Sequence, residues 1–412
     1  MWGKRSPWSG RNGKPMKILV FSQYFYPEYF RVNALCADLA ARGHAVTVVT
    51  AYPQYPLGKI YDGYGFGVPY EKVWRGVNVV RLKVPPRGSN AVGLLKNTFA
   101  YVRQGKKWVK RCKEKFDAVY VFEVSPVTVG LPAVAYGKKF HVPVFFNVQD
   151  LWPENVEVVM GVKNKAVLKF IDKIVDKIYA GSDKILCASR SFAENIAARG
   201  VDREKLVYWP QFHVKPDFSA LKKPECYGEN AFNVVFAGNI GDAQGLDLLA
   251  ETAALMKEDN IFFTVAGDGR ARARLEEKIA DLGVGDKVRF VGRVSEEEAN
   301  AYVHYADCAY LSFQDNKLFD MTLPAKMQTY LACGTPVLAA AGGESAAIVR
   351  EAQCGLVAEH RPEAVAAALR KLAASDLTAM RRNAENYFAE HFTADKLIGD
   401  LLKMMEKKYI RR

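Results

Sequence analysis

The sequence predicts an α/β protein of two similar domains, each a parallel sheet covered by helices, facing one another across a cleft. Three observations carry this. The chain has 412 residues, room for two domains of ordinary size. In both halves short apolar runs alternate with segments of helical periodicity, the pattern of βα units. Between the halves, 210–231 holds three prolines, several lysines and little periodicity, and reads as a linker.

In the first half, apolar-rich runs at 18–21, 45–50, 77–82, 118–122, 142–148, 184–188 and 207–209 predict strands of a sheet covered on both faces. Helical spacing marks 32–42, 94–115 and 166–180 between them. The second half restarts with strands at 233–237, 261–266, 288–291, 308–311, 336–340 and 355–357. A last amphipathic helix, about 395–408, carries Leu397, Ile398, Leu401, Leu402 and Met405. Residues 1–15 lack the apolar stretch of a secretory leader and read as a disordered leader, so the fold is expected to start at Met16.

Half of the residues are hydrophobic and a quarter charged, as in globular chains. No window of about 18 apolar residues predicts a membrane span. The net charge is +13, with Lys4, Arg5, Arg11 and Lys14 in the leader, and favours anionic partners: sugar nucleotides, lipid phosphates, an anionic membrane or nucleic acid. The seven cysteines are scattered without a C-x-x-C pair, which suits reduced thiols in the cytoplasm. The six histidines show no metal-ligand spacing.

The chemistry-bearing segments lie at strand ends. Gly238-Asn239-Ile240-Gly241, followed by Gln244 and Gly245, ends a buried strand and precedes a helix. Glycines let backbone N–H groups approach a diphosphate, although ordinary βα turns also favour them. Gly267-Asp268-Gly269-Arg270 repeats the theme, with Arg270, Arg272 and Arg274 on an exposed helix face, and Arg293-Val294 follows the next strand. Lys326 sits in the first turn of a helix opening behind Pro324, where the dipole disfavours a cation unless an anion shares the site. Glu344 opens another helix after Gly342-Gly343. In the first half, Tyr24-Phe25-Tyr26-Pro27-Glu28 follows strand one without a G-x-G-x-x-G, which argues against a dinucleotide site there. His44 reads as a helix cap. Asp150 ends a strand behind Asn147 and Gln149, a position suited to sugar or proton contacts. Finally, 94–116 holds eight lysines and arginines against Glu114 alone, with apolar residues at helical spacing. Lys106, Lys107, Lys110 and Arg111, with Trp108 as an interfacial aromatic, are the expected membrane contacts, and Lys165, Lys169, Lys173 and Lys177 repeat the theme.

The second-half pattern, the Gly238 loop read with 323–355, resembles the nucleotide-sugar half of GT-B glycosyltransferases of family 4, in particular bacterial surface-polysaccharide enzymes such as fucosamine-transferase-like members. The resemblance runs from about Met16 to the end. It implies a first domain, 16–209, for a lipid-linked saccharide acceptor and a second, 232–394, for a nucleotide-diphosphate sugar, with UDP the expected nucleotide. The final helix, 395–412, would return to the first domain. It further implies a retaining reaction without metal or resident cofactor, on the inner face of the plasma membrane. Donor contacts would come from Gly238, Asn239, Gly241, Gly267, Gly269, Arg293, Val294, Lys326 and Glu344. Asp150 and Glu28 are the catalytic candidates. Two features depart from the family. Asn239 and Gln244 stand where an arginine and a lysine are usual, and the paired glutamates fall on Met321, beside Asp320, and Thr329. A nucleotide-sugar epimerase of similar architecture is the alternative. A nucleic-acid-binding protein is a distant one, since no recognisable binding motif accompanies the charge.

Overall fold

The computed structural model describes residues 14–88 and 90–407. It divides into two compact units. The first comprises the chain up to Ala188, Ala193–Trp209 and the chain from Asp400 on. The second comprises Ser189–Phe192 and Pro210–Gly399. The expected leader lies outside the described residues except for its last two, as does the final residue of the expected last helix.

In the first unit, β1 (Lys17–Ser22), β2 (Ala45–Thr50), β3 (Val73–Trp74), β4 (Val77–Arg81), β5 (Ala118–Glu123), β6 (Val144–Val148), β7 (Lys184–Cys187) and β8 (Leu206–Tyr208) form one sheet in the order β3-β4-β2-β1-β5-β6-β7-β8. Every pairing is parallel except β3 with β4. The helices are α1 (Arg31–Ala41), α2 (Ala91–Arg111), α3 (Gly130–Phe140), α4 (Glu154–Val158), α5 (Lys165–Ala180) and, from Ala193 on, α6 (Arg190–Ala198). The chain runs outward from β1 to β2 and β4, then crosses back to β5 and on to β8. With right-handed crossovers this puts α1 on one face and α2, α3 and α5 on the other. Accordingly α3 packs against both α2 and α5. The direction reverses between β1 and β5, the kind of switch point where open α/β sheets bind ligands.

In the second unit, β9 (Phe232–Ala237), β10 (Ile261–Ala266), β11 (Val288–Gly292), β12 (Cys308–Ser312), β13 (Val337–Ala340) and β14 (Gly355–Val357) form a parallel sheet in the order β11-β10-β9-β12-β13-β14. Its helices are α7 (Asp247–Ala254), α8 (Arg272–Asp281), α9 (Glu296–Tyr305), α10 (Lys317–Met321), α11 (Ala325–Ala332), α12 (Gly343–Ala352), α13 (Pro362–Ala373), α14 (Thr378–His391) and, up to Gly399, α15 (Ala394–Glu406). Alternate strand residues feed two cores, one per face. Val234 and Phe236 pack with Leu249, Leu275 and Leu369. Val235 and Ala237 pack with Met327, Leu331 and Phe388. Here the switch lies between β9 and β12, which places the Gly238 turn at it.

The expected strands appear close to their expected limits, because parallel strands buried on both faces are continuous apolar runs. The two-residue β3 and the short α4 were not expected. Residues 210–231 are irregular but not free. Tyr227 is buried in the second unit with its hydroxyl donating to the Tyr302 carbonyl at 2.9 Å, and Tyr305 donates to the Leu221 carbonyl at 3.1 Å.

Candidate functional site

The best-formed site lies in the second unit, where β9, β10 and β11 end together. Their turns are stitched by backbone hydrogen bonds. Gly238 donates to the Ala266 carbonyl at 2.8 Å, Gly267 to Gly292 at 2.8 Å, Ile240 to Asp268 at 3.0 Å and Ala271 to Ile240 at 3.0 Å. The stitching needs side-chain-free positions. A Cβ on Gly267 (φ +145°) would collide with the Gly238 carbonyl oxygen, and one on Gly269 with that of Ile240. Asn239 is exposed at the turn, and the Gly241 N–H donates to Gln244 Oε1 at 3.0 Å.

Lys326 reaches into this turn from α11. Its Nζ lies 3.6 Å from the centroid of the Phe236 ring, in cation–π contact. It is also close enough to Gly238 that a Cβ there would sit 3.5 Å from it. The Nζ is buried and meets no hydrogen-bond partner among the described residues. Burial lowers its pKa to about 7. Tyr330, one turn on, anchors the helix by accepting the Ala237 N–H at 3.1 Å and donating to the Tyr310 carbonyl at 3.2 Å. The result is an ammonium held in a glycine turn at a helix start, without a counter-charge.

The remaining donor candidates divide. Arg293 is exposed and paired with Asp268 at 3.2 Å. Arg270 and Arg274 pair with Asp242 at 2.7 and 3.1 Å, and Arg272 with Glu276 at 2.8 Å, so these arginines do form a solvated, acid-matched face. Val294 is partly buried against the second core. Glu344 has a role within the fold that the sequence did not suggest. It is 6% exposed, and its Oε1 accepts both the N–H and the hydroxyl of Ser191 at 2.6 Å. Through Oε1 that carboxylate ties down Ser191. Asp320 packs directly beneath Gly342 and Gly343, which explains glycine at both positions.

In the first unit Glu28 corrects the sequence reading. It is buried, and its oxygens accept backbone N–H groups from Gln54 at 2.8 Å, Tyr55 at 2.7 Å and Phe25 at 3.1 Å. Burial raises its pKa and those N–H groups counter the rise. It clamps the loop after β2 onto the loop after β1, and offers no free oxygen for catalysis. Asp150 lies just beyond β6, as expected. Its Oδ2 accepts from the Ser125 hydroxyl at 2.7 Å and the Ser125 N–H at 3.1 Å. Beside it is a residue sequence reasoning missed. Glu123 ends β5 fully buried, and its Oε2 accepts the N–H groups of Gln149 and Asp150, each at 3.1 Å. Burial first, and then Asp150, push its pKa well above the usual range. An acid closing the apolar run Ala118–Glu123 was the signal available. Asp150→Asn is expected to lower kcat at least ~tenfold while leaving nucleotide affinity nearly unchanged, as judged by steady-state kinetics alongside calorimetry. Equal losses in both would remove Asp150 from the chemistry.

Trp108 is partly buried, with its ring 6.0 Å edge-on from Phe21 and 6.4 Å from Tyr136. Lys106, Lys107, Lys110 and Arg111 are exposed. No described helix is long and apolar enough to cross a membrane.

Two family models match the chain. Glycosyl transferases group 1 covers residues 219–390, and the Glycosyl transferase 4-like domain covers 30–211. Among curated relatives, the putative colanic acid biosynthesis glycosyl transferase WcaI of Escherichia coli is 25% identical over 346 residues, 77% of this chain and 82% of that one. Among solved structures, sucrose-phosphate synthase from Thermosynechococcus elongatus superposes with a TM-score of 0.72 at 16% identity, over 94% of this chain and 98% of that one. Anabaena HepE in complex with UDP and glucose gives 0.67 at 14%, over 95% and 100%. No comparison supports the epimerase alternative. With its two halves matched by the two glycosyltransferase models and its architecture shared with such enzymes, this chain belongs to the GT-B glycosyltransferases of family-4 type.

Proposed function

We propose that this enzyme moves a sugar from a UDP-linked donor to a lipid-linked saccharide in bacterial surface-polysaccharide assembly, at the inner face of the plasma membrane. The observation that carries the donor half is the buried, unpaired Lys326 Nζ against the Gly238 turn. A diphosphate placed there would receive an ammonium and the start of α11 in a turn whose glycines leave room for it, groups suited to stabilising the leaving group as the glycosidic bond breaks. HepE, whose structure holds UDP and glucose, supports UDP as the nucleotide, and WcaI's part in colanic acid biosynthesis supports the polysaccharide setting. Retention at the sugar carbon, hexosyl transfer and independence of metal belong to the same proposal. Asp150 is the polar group offered to the acceptor side, with Glu123 fixing its loop.

The test is incubation with UDP-sugars and a prenyl-diphosphate-linked saccharide. UDP release that depends on the acceptor is expected, and no thermal stabilisation by UDP at any concentration would sink the reading. The basic end of α2 gives a second expectation. Neutralising Lys106, Lys107, Lys110 and Arg111 together should weaken low-salt binding to acidic vesicles by about 1 kcal/mol per residue without lowering the melting temperature. Unchanged vesicle binding would mark them as a solvated face only.

A further inference from the structure

Two carboxyls stand together where β5 and β6 end in the first unit. Glu123 closes β5 with no exposed surface. Asp150 is partly exposed just beyond β6. One amide links them, because the Asp150 N–H donates to Glu123 Oε2 at 3.1 Å, beside the Gln149 N–H at the same distance. Ser125 holds Asp150 Oδ2 from the other side, and its hydroxyl also accepts from Asn155 Nδ2 at 3.3 Å. Neutral groups complete the frame. Gln149 Nε2 and the Tyr120 hydroxyl both donate to Asn147 Oδ1, at 2.7 and 3.0 Å, and Asn147 Nδ2 donates to the Leu186 carbonyl at 3.0 Å.

No cation enters this frame. Among the described residues no lysine, arginine or histidine pairs with Glu123 or Asp150. The other titratable groups around Glu123 are Glu154 on α4, Tyr179 on α5, Cys187 on β7 and Arg199 after α6. Burial pushes the Tyr179 hydroxyl and the Cys187 thiol up, so both are neutral. Glu154 accepts from Asn195 Nδ2 at 3.1 Å. The Arg199 guanidinium is spent on Asp172 and Asp176, at 2.8 and 2.9 Å.

Two neighbouring carboxyls without a cation resist being ionised together. Exposure decides which of them keeps a proton. Glu123 Oε1 is buried and has no hydrogen-bond partner among the described residues. A charge left there costs far more than a neutral group. The carbonyl oxygen of a protonated carboxyl can still accept both backbone N–H groups on Oε2, which leaves the proton to Oε1. The Trp152 indole N–H favours a charge on Glu123, but less than burial and Asp150 oppose it. Asp150 has two donors from Ser125 and partial access to water, and both favour its charged form.

We propose that Glu123 retains its proton at neutral pH and acts as a positioning residue, a neutral hub that fixes the Gln149–Asp150 backbone so that Asp150 presents the single negative charge of the pair to the acceptor hydroxyl. The presentation to the acceptor rests on the function proposed above, whereas the retained proton does not.

Infrared spectroscopy tests the proton directly. At about pH 8 ordinary carboxyls are ionised, so the parent should keep a protonated-carboxyl carbonyl band that Glu123→Gln lacks. Urea unfolding gives a second measure. Above the unfolded value of about 4.3 the folded chain holds a proton that the unfolded chain releases, so stability falls as pH rises towards the raised folded value. Glu123→Gln removes that fall, and its stability relative to the parent should grow from about pH 5 to about pH 8. Positioning shows in turnover. Glu123→Gln, neutral and able to accept both N–H groups, should hold kcat within about threefold of the parent, whereas Glu123→Ala should lower kcat at least ~tenfold and leave the UDP-induced thermal shift unchanged. Absence of the band from the parent would overturn the proposal, as would a Glu123→Gln variant as slow as Glu123→Ala. If the parent shows no acceptor-dependent UDP release, the function proposed above fails, and the infrared band alone decides whether Glu123 holds the proton.

Discussion

Lys326→Ala weakens binding of UDP by roughly 1.5–3 kcal/mol, the scale of a charge-assisted hydrogen bond lost from a dry site. The same change should leave the unliganded protein as stable as the parent, or more so. An unpaired buried ammonium costs desolvation without a compensating contact apart from the Phe236 ring. Lys326→Met, which keeps the stem, should show both effects more cleanly. Opposite movements of affinity and stability are what a ligand-binding lysine produces. A lysine serving the fold would lose both.

The lowered pKa, about 7 against an ordinary 10.5, gives this account a pH dependence. Between those values the unfolded chain holds a proton that the folded, empty site does not, so stability rises with pH through that window. The burial cost is fully present below about pH 7. A bound diphosphate restores the charge and must take up the proton. Affinity is therefore greatest near neutrality and falls towards pH 9 by at most ~tenfold per unit. In Lys326→Met that slope should be absent.

Gly267→Ala is the second large effect. Its Cβ would meet the Gly238 carbonyl oxygen far inside contact distance, at a φ of +145° that an L side chain rarely adopts. Neither backbone can retreat without breaking the Gly238 to Ala266 and Gly267 to Gly292 hydrogen bonds. A loss of about 3 kcal/mol or more in urea unfolding is expected, together with loss of UDP stabilisation. Gly285→Ala is the control. Nothing lies within 4 Å of the Cβ it would add, so both quantities should stay unchanged.

What the sequence revealed depended on how local the cause was. The strands were legible because burial on both faces leaves an unbroken apolar run, as in Val337–Ala340. The glycine turns were legible because their backbone demands glycine. Helix α2 misled, because its inward side in the first half is not apolar. Asn97 is buried, donating to Gln54 Oε1 at 3.1 Å and to the Pro85 carbonyl at 2.7 Å, while Leu95 and Phe99 face out. A periodicity argument assumes apolar means inward, and here the polar partners came from loops distant in sequence. The structural contacts of Glu28 and Glu344 were illegible for the same reason. Their partners, Gln54 and Ser191, are 26 and 153 residues away. The placement of Lys326 at a helix start was visible in the sequence, but not its burial or its ring contact.

The most direct test of the central claim is a calorimetric titration of UDP at about pH 8, repeated in two buffers of different ionisation enthalpy. Uptake of a substantial fraction of one proton is expected on binding, because most Lys326 side chains are neutral in the empty site and charged in the filled one. Lys326→Met should show no such uptake, together with the weaker affinity. Tight binding of UDP without proton uptake, and equally tight binding by the variant, would contradict it.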